Sequence, residues 1–160
     1  MYDASVPSVR IDAETAADAG AVEALVLAAF GPGRFAKTAE RLRERSGVAA
    51  GFVARDGDKV IGSVRLWSIT IGETAALFLG PITVASDSRK AGLGADLIEA
   101  CVAHAKEHGG PGILLVGDAP YFGRFGFIAA PDAVLPGPVD RRRVLWLGET
   151  APTGPVRGAR

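Results

Sequence analysis

The chain has 160 residues, 48% of them hydrophobic and 22% charged, a composition that supports a folded core and argues against long disordered stretches. Its 18 basic and 18 acidic side chains cancel, so no global field draws it to nucleic acid or an anionic membrane, and any anion site has to be local. A single cysteine excludes an internal disulfide and a cysteine-based zinc cluster, and fits a reducing compartment.

In chain order, SVRIDAET reads as an opening strand, with Thr15 or Asp18 as the cap of a helix carrying Val22, Leu25, Val26, Ala29 and Phe30 at helical spacing. The GPG at 31–33 breaks that helix, and RFAKTAERLRERSG predicts a second, more charged one ended by Gly47. The period then becomes strand-like. In GFVARDGDKVIGSVRLWSITIG the Asp56-Gly57 pair stands between apolar runs and predicts a hairpin, because tight hairpin turns need residues tolerant of positive φ. After a turn at Gly72 and Glu73 comes the strand AALFLGPITV. Pro81 cannot donate a ladder hydrogen bond, so a bulge or a local loss of pairing is expected at Gly80 and Pro81.

A helix follows, with Leu93, Leu97, Ile98, Cys101, Val102 and Ala105 forming its apolar stripe and Gly109-Gly110 ending it. GILLVGD predicts a short strand of the fully buried kind. The aromatic segment APYFGRFGFIAA and a last strand around RRVLWLGE complete the pattern, and residues 151–160 are expected to form a mobile tail. This order predicts a mixed α/β fold in one domain over residues 1–160, with a mainly antiparallel central sheet flanked by helices and one helix-linked parallel pair. No run of about 18 apolar residues occurs, and the first residues lack an apolar stretch behind positive charge. A cytoplasmic protein with no membrane partner is expected.

The stretch VASDSRKAGLGADLIEA leaves a strand, passes a basic segment, places two glycines two apart and starts a helix. The first turn of a helix holds backbone N–H groups without internal partners, together worth about half a positive charge. Gly92 and Gly94 lack the Cβ atoms that would keep a phosphate from that backbone, and Arg89 and Lys90 add charge on the entering loop. Two other phosphate loops are excluded. Ala95 and Asp96 follow Gly94 where a P-loop needs Lys and Ser or Thr, and Leu97 stands where the dinucleotide fingerprint needs a small residue.

RKAGLG resembles the pyrophosphate loop of the GCN5-related N-acetyltransferases, the GNAT superfamily, and LGPITV resembles that family's coenzyme-contacting strand. GDAPYFGRFGF is similar to the corresponding segment of its YhbS-like bacterial branch. The resemblance implies a parallel strand pair that splays apart beyond the bulge, with acetyl-CoA as co-substrate and no metal. It implies that Ile82, Thr83 and Val84 bind the pantetheine arm as a pseudo-strand, and that Arg89, Lys90, Ala91, Gly92, Leu93, Gly94 and Ala95 hold the pyrophosphate. The Val84 amide would also polarise the thioester carbonyl.

Relatives place a tyrosine five residues before the last Phe of the Gly-Phe motif, as acid for the leaving thiolate. This chain has Phe122 there, within the coenzyme-binding set, and Tyr121 one residue earlier is the candidate general acid. Adjacent helical positions point about 100° apart, so Tyr121 either is reoriented by its short turn or packs beside the cleft. A carboxylate base is not evident, and a water-relayed one is expected. Cys101 belongs to the core, His104 and His108 to a solvated face, and DRRR at 140–143 to the surface or to an acidic substrate or an RNA phosphate. Trp67 borders the cleft as core or substrate contact. The implied function is acetyl transfer from acetyl-CoA to a small-molecule or protein amine, in a monomer or homodimer. The alternative is an acyl-CoA-binding sensor with little turnover.

Overall fold

The computed structural model describes residues 9–31, 33, 37–86, 92–110 and 112–160. Strand β1 (Val9–Ala13) leads through a 3-10 turn at Ala16–Asp18 into helix α1 (Ala19–Phe30), and helix α2 (Thr38–Glu44) follows. Three antiparallel strands come next: β2 (Val48–Asp56), β3 (Lys59–Ile71) and β4 (Thr74–Val84). Helix α3 (Leu93–Glu107) crosses over to β5 (Gly112–Val116), which pairs parallel with β4. The short helix α4 (Ala119–Gly123), the two-residue strands β6 (Ile128–Ala129) and β7 (Ala133–Val134), β8 (Val144–Gly148) and β9 (Gly154–Gly158) complete the order. The main sheet runs β1-β2-β3-β4-β5-β8-β6, antiparallel except at β4-β5.

Period-two alternation assigns the two faces. Val64, Leu66, Leu79, Ile113 and Leu115 meet the α3 stripe of Leu97, Ile98 and Cys101, as its sequence spacing predicts. Ile69, Ile71, Phe78, Leu114 and Trp146 point the other way, toward Leu42 of α2. Val22 and Val26 of α1 cover Val53. Cys101 is fully buried, and burial pushes its thiol up to about 12, so it stays protonated in the core.

Residues 151–160, expected to be mobile, contain β9 instead. Thr70 of β3 pairs with Arg157, and the 1% exposed Val156 enters the core. Ala159 closes the segment by donating to the Ser68 carbonyl and accepting from the Gly47 amide. β2 pairs with β3 only as far as Trp67, so β9 takes the backbone groups of Ile69–Ile71 along the same edge. A Gly- and Pro-rich tail carries no local signal for a partner that distant in sequence. The second helix is also shorter than its pattern, and its expected first residues 34–36 lie outside the described ones.

The two candidate caps of α1 act together. The Asp18 carboxylate accepts from the Thr15 amide at 2.8 Å and from both Nη groups of Arg55 at 2.7 and 2.8 Å, while Arg55 Nε donates to Asp12 at 2.9 Å. The Arg55 hydrogen bonds, then the Thr15 amide, hold the Asp18 carboxyl well below the usual carboxylate range. A depressed folded pKa gives stability that is present above the unfolded value, about 3.9, and is lost as pH falls through the folded one. Asp18→Asn should therefore lower the melting temperature at neutral pH and reduce its fall on acidification. Thermal melts of both proteins across the acid range test this. Parallel curves would remove Asp18 as the linked group.

Candidate active site

The site begins with a break in a ladder. Leu66 pairs with Leu79 and Val64 with Ile82, so Gly80 and Pro81 together oppose Arg65, which is the bulge expected from Pro81. The Gly80–Pro81 peptide is cis, and Gly80 has φ 135°, a region open to glycine. A Cβ on Gly80 would also lie 2.7 Å from the Arg43 guanidinium. Trp67 Nε1 donates to the Gly80 carbonyl, which gives this side chain a definite role in holding the bulge. Behind it Arg65 makes a two-point ion pair with Glu14, at 3.0 and 2.7 Å.

The bulge separates two strands. β4 and β5 pair only at Leu77–Ile113 and Phe78–Leu114, beyond which both continue unpaired with each other. The Ala85 amide donates to the Ile61 carbonyl, and this sets the phase of the strand. By alternation the backbone of Thr83 faces β3, whereas the amides of Ile82 and Val84 face the opposite edge, toward the gap. Thr83 is thus not grouped with its neighbours, since its hydroxyl is also buried at 3.1 Å from that of Ser63.

At the end of this edge α3 starts. Gly92 has φ 70° and caps the helix, and a Cβ placed on it would meet none of the described residues within 4 Å. On Gly94 a Cβ would meet, among the described residues, only the Tyr121 hydroxyl, at 3.5 Å. Among the described residues nothing else stands over the backbone of the first turn, and Leu93 fixes the turn by burying its side chain against Ala54 and Ile61. Ala95 follows within the same turn. Arg89, Lys90 and Ala91, assigned to the same loop from sequence, lie outside the described residues.

Helix α4 is placed by the Asp118 carboxylate, which accepts from the Tyr121 amide at 2.9 Å. Its two aromatic residues then part. Phe122 is 9% exposed, packs on Gly117 and lines the gap between β4 and β5. Tyr121 does not line that gap. Its ring lies between Phe122, Phe125 and the Arg124 guanidinium, and its hydroxyl stands over Gly94 in the first turn of α3.

The gap opens into a cleft of about 390 Å³ on the α1/α2 side. Five charged side chains line it, Lys37, Glu40, Arg43, Asp118 and Arg143, of which only Arg143, within DRRR, was weighed from the sequence as a ligand contact. Glu40 accepts from Arg43 Nη1 at 3.1 Å, and each side chain of this pair is 15% exposed. The i,i+3 spacing of Glu40 and Arg43 was legible, but a charged pair on a short helix carries no mark of the cleft it will face. A larger cavity, of about 880 Å³, opens between the end of α3 and β8, away from the glycine turn. The smaller one borders the bulge and the parting strands, through Gly80, Pro81 and Ile82 on one side and Leu115 and Val116 on the other.

A GNAT family acetyltransferase from Brucella melitensis, solved in complex with acetyl-CoA, is 25% identical with a TM-score of 0.73, covering 93% of this chain and 94% of that one. YhbS, a GNAT family N-acetyltransferase from Escherichia coli solved in complex with CoA, is 23% identical with a TM-score of 0.81, covering 99% and 94%. Ard1 from Thermoplasma volcanium is 15% identical with a TM-score of 0.60, covering 88% and 97%. No curated protein matches the sequence. Among the described residues no helix is long and apolar enough to cross a membrane. The sequence profile described as the acetyltransferase (GNAT) family matches residues 21–127, two thirds of the chain, and with the bulged, splayed strand pair leading to an open glycine turn, this chain belongs to that family.

Proposed function

We propose that the protein transfers an acetyl group from acetyl-CoA to an amine by direct attack within the β4–β5 gap. One observation carries this reading: the edge of Ile82 and Val84 runs alongside the gap and leads to a helix start where Gly92 and Gly94 keep Cβ atoms off the backbone. The coenzyme's pantetheine amides pair with that edge, and its pyrophosphate takes the amides of the first turn of α3. The room at both glycines fits a phosphate. The complexes of the Brucella and Escherichia coli proteins with acetyl-CoA and CoA support the same assignment.

Attack requires a neutral amine, and a lysine-like amine has a pKa near 10.4, so a proton has to leave first. Glu40 borders the cleft and accepts that proton through water. The amine nitrogen then bonds to the acetyl carbon, the Val84 amide stabilises the oxyanion, the C–S bond breaks as the thiolate leaves, and the proton that the nitrogen sheds on becoming an amide passes through water to that thiolate. Tyr121, with its hydroxyl over Gly94, belongs to the coenzyme side and hydrogen-bonds a phosphate oxygen. The acid position is occupied by Phe122, and the thiolate departs without a side-chain acid.

Incubating the protein with acetyl-CoA and a panel of amines while following free thiol tests the reading. Thiol release above the hydrolysis background supports it, and coenzyme binding without turnover on any amine supports the sensor alternative. Phe122→Tyr should then raise kcat about tenfold, since a well-placed general acid contributes about 10²- to 10⁴-fold. Tyr121→Phe should weaken acetyl-CoA binding and change kcat little. A loss of kcat in Tyr121→Phe at unchanged coenzyme affinity would instead make Tyr121 the acid.

A further inference from the structure

We infer that the acceptor is an amine that also carries a carboxylate, received by Arg143 and Lys37 at the mouth of the β4–β5 cleft; this rests on the acetyl-transfer reading of the same site. The three arginines of DRRR have different surroundings. Arg142 pairs with Asp140 through two bonds of 3.1 Å and is 91% exposed, and Arg141 lines neither the cleft nor the cavity beside it. Arg143 alone lines both. Its backbone carbonyl accepts from the Gly117 amide at 2.9 Å, and its Nε donates to the Gly117 carbonyl at 3.4 Å, which ties it to the end of β5.

Lys37, at the start of α2, also lines both the cleft and the adjoining cavity of about 270 Å³, so the two cations border one shared space. The carboxylates around that space are engaged. Glu40 binds Arg43, Asp118 caps α4 and Asp140 binds Arg142. Among the described residues no ion pair joins a carboxylate to Arg143 or Lys37. In a chain whose charges sum to zero, two unpaired cations facing one cavity make a local positive site.

The remaining wall selects the rest of the ligand. Phe30, Leu79, Ile82 and Val116 give the cleft an apolar side between the gap and the two cations. An amine joined through a short carbon chain to a carboxylate would place its nitrogen at the gap beside Glu40, its chain on that wall and its carboxylate at Arg143. With Nε held by Gly117, the guanidinium can present its Nη groups to a carboxylate, a geometry that lysine lacks. The chemical class is that of an amino acid.

The test uses reaction products matched except for the charge: N-acetyl-ω-amino acids of increasing chain length and their carboxamides, titrated by calorimetry into the full chain with and without CoA. At one chain length or more the acid should bind at least about tenfold more tightly than its amide, the strength of a charge-assisted pair. Arg143→Gln and Lys37→Gln should each reduce that ratio, and Arg143→Lys should restore it only in part. Because the two residues lie on separate elements, a folding failure of one variant leaves the other informative. Equal binding of acid and amide throughout, or an acid preference that survives the double substitution, would overturn the inference. So would tighter binding of a phosphonate analogue than of every carboxylate. Acetyl-CoA binding is measured separately: a protein that prefers the acids yet does not bind acetyl-CoA loses the acetyl-transfer reading and keeps the carboxylate subsite.

Discussion

Gly94→Val should lower acetyl-CoA affinity on the order of a hundredfold while leaving the fold in place. A Cβ at this position already lies at van der Waals distance, 3.5 Å, from the Tyr121 hydroxyl, and the two further methyl groups of valine would occupy the space over the first-turn amides. Losing one or two hydrogen bonds to a charged phosphate, about 1.5–3 kcal/mol each, accounts for that loss at about 1.4 kcal/mol per factor of ten. The helix itself should not suffer, because valine is a better helix former than glycine. Calorimetry on a variant with an unchanged melting temperature measures the effect. Alanine should fall between the two, since its single methyl makes only an ordinary contact. Unchanged affinity in both variants would return the glycines to a packing role.

Glu40→Gln should reduce kcat by about 10²- to 10⁴-fold, the usual range for removing a general base. The substitution is chosen because the new amide oxygen can still accept from Arg43 Nη1, so the 3.1 Å contact and the placement of α2 are kept while the proton acceptor is lost. Acetyl-CoA affinity should stay the same, as Glu40 lies on the acceptor side of the bulge. In the parent protein kcat/KM should rise with pH toward the pKa of the acceptor amine, because the neutral nucleophile becomes more abundant. If Glu40→Gln retains the parent turnover and pH profile, the proton leaves by another route and Glu40 is only the anchor of Arg43.

What the sequence determined by itself was local. The Asp56-Gly57 hairpin, the bulge at Pro81, the apolar stripe of α3 and the glycine-led helix start follow from φ preferences, missing donors and periodicity, which act between residues close in the chain. The same locality makes the proposed coenzyme side legible, because one strand end and one helix start supply its described part. For the proposed acceptor side the sequence offered DRRR as one option for an acidic substrate, and the tertiary structure decided which of its arginines faces the cleft and what stands with it. Lys37 and Arg143 are far apart in sequence and face one cavity only because α2 and the end of β5 close on the same gap. β9 found its place because β3 outruns β2 and leaves backbone groups to satisfy, a need that the tail's own composition does not reveal. Tyr121 and Phe122 are the sharpest case. They are neighbours on a five-residue helix, and only the packing of that helix on Gly117 and beside Gly94 sends one ring to the β4–β5 gap and the other hydroxyl to the first turn of α3. Directions a helical step apart differ by about 100°, and the neighbour that each one meets is fixed by contacts that no local pattern encodes.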